Sequence, residues 1–500
     1  MASEAEILAA RRKRAQQLRD GGETLFPARV PERPTPIPEV LARFGSRSAE
    51  QLADEPTELC VAGRIVALRS FGKAAFVSLR GEGERFQLWV QRDEVGADRY
   101  RRFKLFDLGD LVWARGGLLR TRTGELTLEV REIRLLAKSY RPLPEKWHGL
   151  VDLETRYRQR YLDLLVNRGA REIALHCSRL LGALRELLAE RGFLEVETPI
   201  LQPIYGGANA RPFTTHHHTY GRDLYLRISF ELYLKRLIVG GLDRVYELGR
   251  DFRNEGISRK HSPEFTMLEA YQAWADYRDM MELVEVLVVG SAERVLGRAR
   301  VEREGVPIDL APPWPRRSMR ALLIEACGID IERERSLETL QTAVRQRSLE
   351  GLDPEAATSW AGLVDELFSL LVEPKLVQPT FVVDYPVALS PLAKRCEDRP
   401  DFVERFELFI AGMEIANAFS ELNDPDDQRE RFREQAAAAQ RGDHEAHPID
   451  EDYLRALEHG MPPTGGMGLG VGRLAMVLTG ATHLREVTLF PHLRPRDADG

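Results

Sequence analysis

The stretch ELGRDFRNEGISRKHSPEFTMLEAY (residues 247–271) has the pattern of two strands joined by a polar loop. Side chains alternate along a strand, so the second strand is predicted to place four of them on one face: Phe265, Met267, Glu269 and Tyr271. A carboxylate on an otherwise apolar face is costly to bury unless it meets a cation. The pattern therefore predicts a cation-binding face around Glu269 or, equally well from periodicity alone, a solvated amphipathic hairpin.

A second hairpin pattern lies in RFELFIAGMEIANAFSELND (405–424). Gly412 separates two strand-like runs, so Glu407 and Glu414 are predicted to face each other, a frame that suits a hard cation with oxygen ligands. Three further residues of the second run share one face: Asn417, Phe419 and Glu421. Glu414 has the opposite parity to Glu421, so only a bulge or a turn brings both into one pocket. Ordinary edge-strand glutamates are the alternative.

The third segment is GGMGLGVGRLAMVLTG (465–480), in which five glycines precede Arg473 and an apolar helix. Glycines let the backbone approach a ligand closely, and an arginine at that point suits phosphate. Glycine-rich packing against a neighbouring strand is the better interpretation of this segment when it is taken alone. The chain has no G-x-x-x-x-G-K-[ST] motif and no strand-to-helix G-x-G-x-x-G, so a nucleotide would be held by other means.

Composition limits the class of protein. The 500 residues are 43% hydrophobic and 30% charged with a net charge of −7, which is typical of a soluble globular chain and excludes a disordered, collagen-like or membrane protein. The acidic balance also means that any polyanion must bind a local patch. The first twenty residues lack an apolar core for export, so we expect a cytoplasmic protein. The four cysteines are far apart in sequence, which predicts free thiols.

The pattern along the chain predicts four parts. Residues 1–55 form an extension with a helix over 4–19, because Ser3 and Glu6 make a capping box. Residues 56–138 contain five short β-rich runs, which favour a small β module, with an OB-fold among the leading options. Residues 139–150 form a linker with two prolines. Residues 151–500 form an α+β domain on an antiparallel sheet, within which residues 281–375 have a helical pattern.

These segments resemble the three signature motifs of class II aminoacyl-tRNA synthetases. The corresponding stretches are GFLEVETPIL (192–201), FRNEGISRKHSPEFT (252–266) and GLGVGR (468–473). Three further segments are similar to the lysyl-tRNA synthetase family in particular: IYGGANARPFTTHH (204–217), ELYLKRLIVGG (231–241) and FSELNDP (419–425). The resemblance extends from about residue 56 to the end of the chain, so agreement by chance is implausible.

The resemblance implies an N-terminal OB-fold that binds the anticodon and a class II catalytic domain with helices flanking its sheet. It implies that L-lysine and ATP form lysyl-adenylate with release of pyrophosphate, and that the lysyl group then moves to the 3′ end of tRNA(Lys). It also implies Mg²⁺ as the cofactor and a homodimer formed through the first motif.

The resemblance further implies a role for particular residues. The lysine α-amino group would meet Gly207 and Glu231. The ε-ammonium would lie among Glu269, Tyr271 and Glu421, in a pocket that is also lined by Asn417 and Phe419. The nucleotide would be bound by Arg253, which also holds the lysine carboxylate, and by Glu255, His261, Phe265 and Arg473. Arg253 and Arg473 would be the catalytic residues, and Mg²⁺ would be carried by Glu407 and Glu414. The anticodon would be read by Arg69, Phe76 and Gln87, with core packing as the alternative for Phe76.

Some positions depart from the family pattern. Ser229-Phe230 stands where Ala-Pro is usual, Ser262 where Asn is usual, and Gly472 where an acidic residue usually precedes the arginine. We expect altered kinetics from these changes rather than loss of activity. Two alternatives remain: a lysine ligase that acts on a protein acceptor, and a non-catalytic tRNA-binding paralogue. An aspartyl or asparaginyl specificity does not suit a pocket that contains Glu269 and Glu421.

Overall fold

The computed structural model describes residues 3–144, 150–349, 351–440 and 448–495. The chain divides into two units, Met1–Arg171 and Glu172–Gly500. The finer division at residues 55, 138 and 150 stays a prediction, and residues 145–149 of the predicted linker lie outside the described residues.

The first unit is built on a closed five-stranded barrel with the strand order β1-β2-β3-β5-β4. Its strands are β1 (Glu58–Phe71), β2 (Ala74–Gly81), β3 (Glu84–Gln91), β4 (Leu111–Arg120) and β5 (Leu126–Ala137). Its helices are α1 (Glu4–Asp20), α2 (Ile37–Phe44), α3 (Ala49–Asp54), α4 (Arg92–Val95), α5 (Ala97–Phe103), α6 (Leu153–Arg158) and α7 (Arg160–Val166). The predicted N-terminal helix is confirmed, with the capping box of Ser3 and Glu6 at its start.

Alternation along the strands fills the barrel. Val77 and Leu79 of β2 and Leu88 of β3 are fully buried, while the residues that alternate with them along each strand are partly exposed. The helices of the N-terminal extension add Leu18 and Val40 to the same core. The extension is thus part of the hydrophobic core of this unit, which periodicity within the strands did not reveal.

The larger unit is built on an eight-stranded sheet with the order β14-β15-β16-β17-β18-β11-β10-β6. Two smaller sheets have the orders β12-β13 and β7-β9-β8. The strands of all three sheets are β6 (Leu194–Glu195), β7 (Leu201–Gln202), β8 (Thr214–His217), β9 (Arg222–Leu226), β10 (Arg244–Phe252), β11 (Glu264–Ala273), β12 (Arg300–Arg303), β13 (Val306–Asp309), β14 (Arg316–Ser318), β15 (Thr380–Pro386), β16 (Phe402–Ile410), β17 (Met413–Ser420) and β18 (Thr464–Gly470). The sheet is antiparallel except at its two edges, where β14 and β6 run parallel to their neighbours. The predicted α+β class is confirmed.

The helices from residue 168 onward are α8 (Arg168–Ala189), α9 (Glu231–Val239), α10 (Tyr277–Leu296), α11 (Met319–Cys327), α12 (Leu337–Arg347), α13 (Trp360–Leu371), α14 (Pro425–Gln440), α15 (Glu451–Glu458), α16 (Val471–Thr479) and α17 (Leu484–Val487). Helices α8, α10 and α16 pack on one face of the sheet, against residues such as Leu268, Ala418 and Leu469. Because side chains alternate, the residues between these apolar positions point to the opposite face. That opposite face carries the cavity described below.

The helical pattern predicted for residues 281–375 is only partly correct. Strands β12 and β13 form a hairpin within it, and β14 joins the edge of the main sheet. The short strands have too few residues for a period of two to stand out from a helical pattern. Among the described residues, no helix combines the length and the apolar character that crossing a membrane requires.

Candidate active site

A cavity of about 300 Å³ lies on the face of the main sheet that is opposite to α8, α10 and α16. Strand β18 runs between β11 and β17, and the register sets Gly468 between Glu269 and Asn417. In the same way Gly466 lies between Tyr271 and Phe419. The glycines of β18 thus leave room on the sheet face, and the side chains of the two flanking strands form the walls of the cavity.

Gly466 is required by close approach. A Cβ atom at this position would lie 1.9 Å from Glu421 Oε1 and 2.5 Å from Tyr271 Cε1. At Gly468 the nearest heavy atom would be 3.5 Å away, an ordinary van der Waals distance. The sequence favoured close packing against neighbouring strands as the reason for this glycine run. At Gly466 that interpretation is correct, and the same glycine also shapes the cavity.

Glu269 is 4% exposed and is held by three donors. The Ser229 hydroxyl donates to Oε1 at 2.8 Å, the Phe230 backbone N–H donates to the same oxygen at 3.3 Å, and the Tyr271 hydroxyl donates to Oε2 at 3.1 Å. Burial and the nearby charge of Glu231 raise the pKa of Glu269 to about 7. The buried carboxylate predicted from the strand pattern is thus present and is only partly ionised at neutral pH.

Sequence reasoning missed Lys235. Its fully buried ammonium lies 2.5 Å from Glu231 Oε1 and also forms an ion pair with Glu421. Burial raises the pKa of both glutamates, whereas the charge of Lys235 opposes that rise. Glu421 Oε1 has no hydrogen-bond partner among the described residues. The i, i+4 spacing of Glu231 and Lys235 on a helix was the available signal.

The residues predicted for the nucleotide line the other part of the same cavity: Arg253, Glu255, His261, Phe265 and Arg473. The Arg253 guanidinium lies 5.1 Å from the centre of the Phe265 ring. Arg473 Nη1 donates at 2.9 Å to both Oε2 and the backbone oxygen of Glu414. Burial and the charges of Arg473 and Lys260 lower the pKa of His261 to about 4, so its imidazole is neutral at physiological pH.

The sequence predicted that Glu407 and Glu414 face each other directly, but in the structure they do not. The register pairs Glu407 with Asn417 and Glu414 with Phe409. The tight turn at Ala411-Gly412 pairs Ile410 with Met413 and therefore Glu414 with Phe409, and a β-bulge in β17 at Ile415 then leaves Glu407 opposite Asn417. The same bulge reverses the parity after Glu414, so that Glu414 and Glu421 line one cavity.

The two glutamates are engaged with cationic side chains. Glu407 accepts from Arg405 Nη2 at 2.6 Å and from the Tyr385 hydroxyl at 2.9 Å. Burial and the charge of Glu414 raise the pKa of Glu407 to about 7. Within the part of the chain that the structure describes, no three carboxylate, histidine or cysteine side chains form a ligand group. Two carboxylates fit Mg²⁺, because this ion takes one or two protein carboxylates together with substrate phosphates and water.

In the barrel, the predicted anticodon residues occupy three neighbouring strands. Arg69 of β1 pairs in register with Phe76 of β2, and Gln87 lies on β3. Phe76 is half-buried, whereas Ala75 and Val77 on either side are fully buried. Phe76 therefore lies on the outer face of the strand and outside the core of the barrel, and its role at the anticodon stays a prediction.

Two further aromatic residues lie beside Phe76 and were missed from the sequence. The Trp89 ring stacks against Phe76 with centroids 6.1 Å apart and planes 15° apart. The exposed Phe71 ring meets Phe76 edge-on at 6.4 Å. Trp89 had a signal, because it alternates with buried Leu88 and Val90 and so must lie on the outer face. Together these rings offer a surface on which a nucleic-acid base can stack.

Comparison with known proteins agrees with this geometry. Residues 152–494 match the family model of class II tRNA synthetases (D, K and N), and residues 59–136 match that of an OB-fold nucleic acid binding domain. A lysine–tRNA ligase of Chloroflexus aurantiacus is 53% identical, with 98% of this chain and 99% of the relative aligned. The chain belongs to the lysine–tRNA ligase family. Lysine–tRNA ligases of Roseiflexus castenholzii and Moorella thermoacetica are 52% and 50% identical over nearly the full length of both chains.

The structure gives a local account of two departures from the family pattern. A Cβ atom at Gly472 would lie 2.7 Å from Leu484 Cδ1, so a larger residue there requires Leu484 to move. Ser229 and Phe230 both donate to Glu269, as described above. Ser262 lines the cavity, and nothing in its surroundings explains the replacement of Asn.

Proposed function

We propose that this protein activates L-lysine with ATP to form lysyl-adenylate and then transfers the lysyl group to the 3′ end of tRNA(Lys). The observation that carries the proposal is a single cavity with two chemically different parts. One part is formed by buried carboxylates, including Glu269 and Glu421. The other contains Arg253 and Arg473, which suit phosphates and a carboxylate.

Lysine carries two ammonium groups, and the carboxylate part of the cavity offers an acceptor for each. We assign the α-amino group to Glu231 near Gly207, and the ε-ammonium to Glu269, Tyr271 and Glu421. The unpartnered Glu421 Oε1 supports this assignment, since a buried carboxylate oxygen without a donor is costly. Each charge-assisted hydrogen bond contributes about 1.5–3 kcal/mol, enough to reject an amino acid with a neutral side chain. Asn417 and Phe419 complete the wall.

On the nucleotide side, a lysine carboxylate oxygen attacks the α-phosphorus, the new C–O–P bond forms, and the bond to pyrophosphate breaks. We assign Arg253 to the carboxylate and the α-phosphate, and Arg473 to the γ-phosphate. Their charge neutralises the oxygens on which negative charge develops, and their position aligns the attack. The neutral His261 and Glu255 would contact the ATP, and Phe265 would stack on adenine.

The residues that would hold Mg²⁺ are Glu407 and Glu414. When bound, the ion would neutralise phosphate charge and orient the leaving pyrophosphate. The raised pKa of Glu407 beside Glu414 supports the assignment, because two neighbouring, partly buried carboxylates favour a shared cation. In the ligand-free protein, Arg405 and Arg473 hold these carboxylates in place.

The barrel supports tRNA as the acceptor. We assign Arg69, Phe76 and Gln87 to the anticodon, since they lie on neighbouring strands beside stacked aromatic rings. A homodimer is part of the proposal. An exposed apolar strip around the first motif supports it: Leu194, Ile200, Leu201 and Ile204 are each at least 37% exposed. Location in the cytoplasm stays a prediction, and no observation favours either of the alternative functions.

The proposal is tested by exchange of labelled pyrophosphate into ATP, with each of the twenty amino acids supplied in turn. We expect lysine alone to support rapid exchange, and the purified protein then to charge tRNA(Lys). Exchange without charging would indicate a ligase for another acceptor. No exchange with any amino acid would refute the catalytic assignment and leave the non-catalytic paralogue. In the variant with Glu269→Gln and Glu421→Gln together, lysine-dependent exchange should be lost.

A further inference from the structure

Two donors that are adjacent in the chain hold one oxygen of the Glu269 carboxylate. Ser229 Oγ donates to Oε1 at 2.8 Å, and the backbone N–H of Phe230 donates to the same atom at 3.3 Å. Alanine and proline at these two positions would offer neither donor, because alanine has no hydroxyl and proline has no N–H. This chain therefore adds two hydrogen bonds to one buried carboxylate oxygen.

The Ser229 hydroxyl has little freedom to turn elsewhere. Its residue is 4% exposed, and its oxygen accepts the backbone N–H of Glu231 at 3.1 Å. Gly207 lies against it on the other side, where a Cβ atom would be 2.8 Å from the Ser229 Oγ. The hydroxyl oxygen thus accepts the Glu231 N–H while its proton is donated to Glu269.

The surroundings of Glu269 make these donors matter. The charged and titratable groups near it on the adjacent elements are Glu231 and Lys235 on α9, Glu247 and Asp251 on β10, Tyr271 on its own strand, Glu421 after β17, and the nearby Arg227 and Arg253. Burial and Glu231 raise the pKa of Glu269, whereas the bonds from Ser229, Phe230 and Tyr271 lower it. Hydrogen bonds to the charged form favour ionisation, and an ammonium substrate needs the ionised form.

We propose that Ser229, together with the Phe230 backbone N–H, is a positioning residue that fixes the Glu269 carboxylate and keeps it ionised for the side-chain ammonium of the substrate. This inference rests on the proposed function, since it concerns the same lysine pocket. It predicts that Ser229 acts on lysine binding through Glu269 and leaves the nucleotide side unchanged.

The test uses the full-length protein and the variant Ser229→Ala, which removes the hydroxyl donor to Glu269. Lysine-dependent pyrophosphate exchange is measured between about pH 6.5 and 8.5, a range that brackets the titration of a raised carboxyl group. Because the variant carboxylate holds its proton to higher pH, the KM for lysine should rise about tenfold near neutral pH. At the alkaline end, the KM should return to within about twofold of the wild type. The KM for ATP should not change.

Two comparisons separate positioning from a general structural effect. Ser420→Ala removes another buried hydroxyl, which accepts from the Tyr277 backbone N–H at 3.1 Å and makes no bond to Glu269. It should leave the pH dependence of the KM for lysine unchanged. In a background of Glu269→Gln, adding Ser229→Ala should have no further effect on the pH profile, because the group through which Ser229 acts no longer titrates.

A second measurement does not depend on turnover. Lysine binding to the wild type and to Ser229→Ala is followed by calorimetry near pH 7 in two buffers with different ionisation enthalpies. Since lysine binds the ionised form, the variant should release more protons than the wild type. The proposal would be overturned if the wild type and Ser229→Ala released equal numbers of protons and had equal pH profiles. It would also be overturned if Ser229→Ala still changed the pH profile of the KM for lysine in the Glu269→Gln background. Absence of lysine-dependent exchange in the wild type would instead refute the proposed function.

Discussion

Replacement of Gly466 by alanine should selectively weaken lysine binding. The new methyl group would lie 1.9 Å from Glu421 Oε1, whereas ordinary contact begins at 3.4 Å. The two atoms must therefore separate by about 1.5 Å, which moves Glu421 away from its place beside Lys235 and shifts the Tyr271 ring. If one charge-assisted hydrogen bond to the substrate is lost, the cost is about 1.5–3 kcal/mol. That cost corresponds to roughly 10- to 150-fold in the KM for lysine.

The assay is lysine-dependent pyrophosphate exchange with lysine and ATP varied separately. Gly468→Ala is the matched control, because it makes the same change two residues along β18, where the new Cβ would be 3.5 Å from its nearest neighbour. Neither glycine has a positive φ, so alanine strains neither backbone. Because Gly468 also faces the cavity, we expect Gly468→Ala to raise the KM for lysine, but by less than Gly466→Ala does, since its methyl group displaces neither Glu421 nor Tyr271. Equal KM values for lysine in the two variants would refute the role of Gly466 in shaping the pocket.

Three other perturbations test separate parts of the structure. Glu269→Gln should raise the melting temperature of the protein without substrates at about pH 8 but not at about pH 5. The pKa of Glu269 in the folded protein is about 7, so the wild type loses stability as the pH rises towards 7, and the variant does not. A smaller increase in melting temperature at about pH 8 than at about pH 5 would contradict this reasoning. The His261 imidazole, with a pKa of about 4, should show the chemical shifts of a neutral ring in NMR spectra from about pH 6 upward, and a midpoint near 6.5 would contradict its burial beside Arg473. Phe76→Ala should raise the KM for tRNA by roughly 5- to 150-fold, the equivalent of about 1–3 kcal/mol of base stacking, while lysine-dependent exchange in the same variant stays unchanged as the control.

The sequence was informative where the chemistry is local. The capping box predicts the first helix, and alternation along β11 predicts which residues share the face with Glu269. Parity alone also indicated that Glu414 and Glu421 could share a pocket only through a bulge or a turn, and the structure has a bulge at Ile415. Parity did not fix the register of the hairpin, which the two-residue turn at Ala411-Gly412 sets, so the predicted pairing of Glu407 with Glu414 was wrong.

The sequence by itself determined the chemical types at the site: carboxylates spaced along two strands, arginines after a polar loop and after a glycine run, and aromatic residues on the barrel. Only the tertiary structure decided their partners. β17 and β11 are far apart in the chain, yet both lie beside β18 in the sheet, and Glu421 after β17 forms an ion pair with Lys235 of α9. Buried ion pairs and hydrogen bonds form between side chains that the fold brings within about 3 Å, and sequence separation carries no information about that distance.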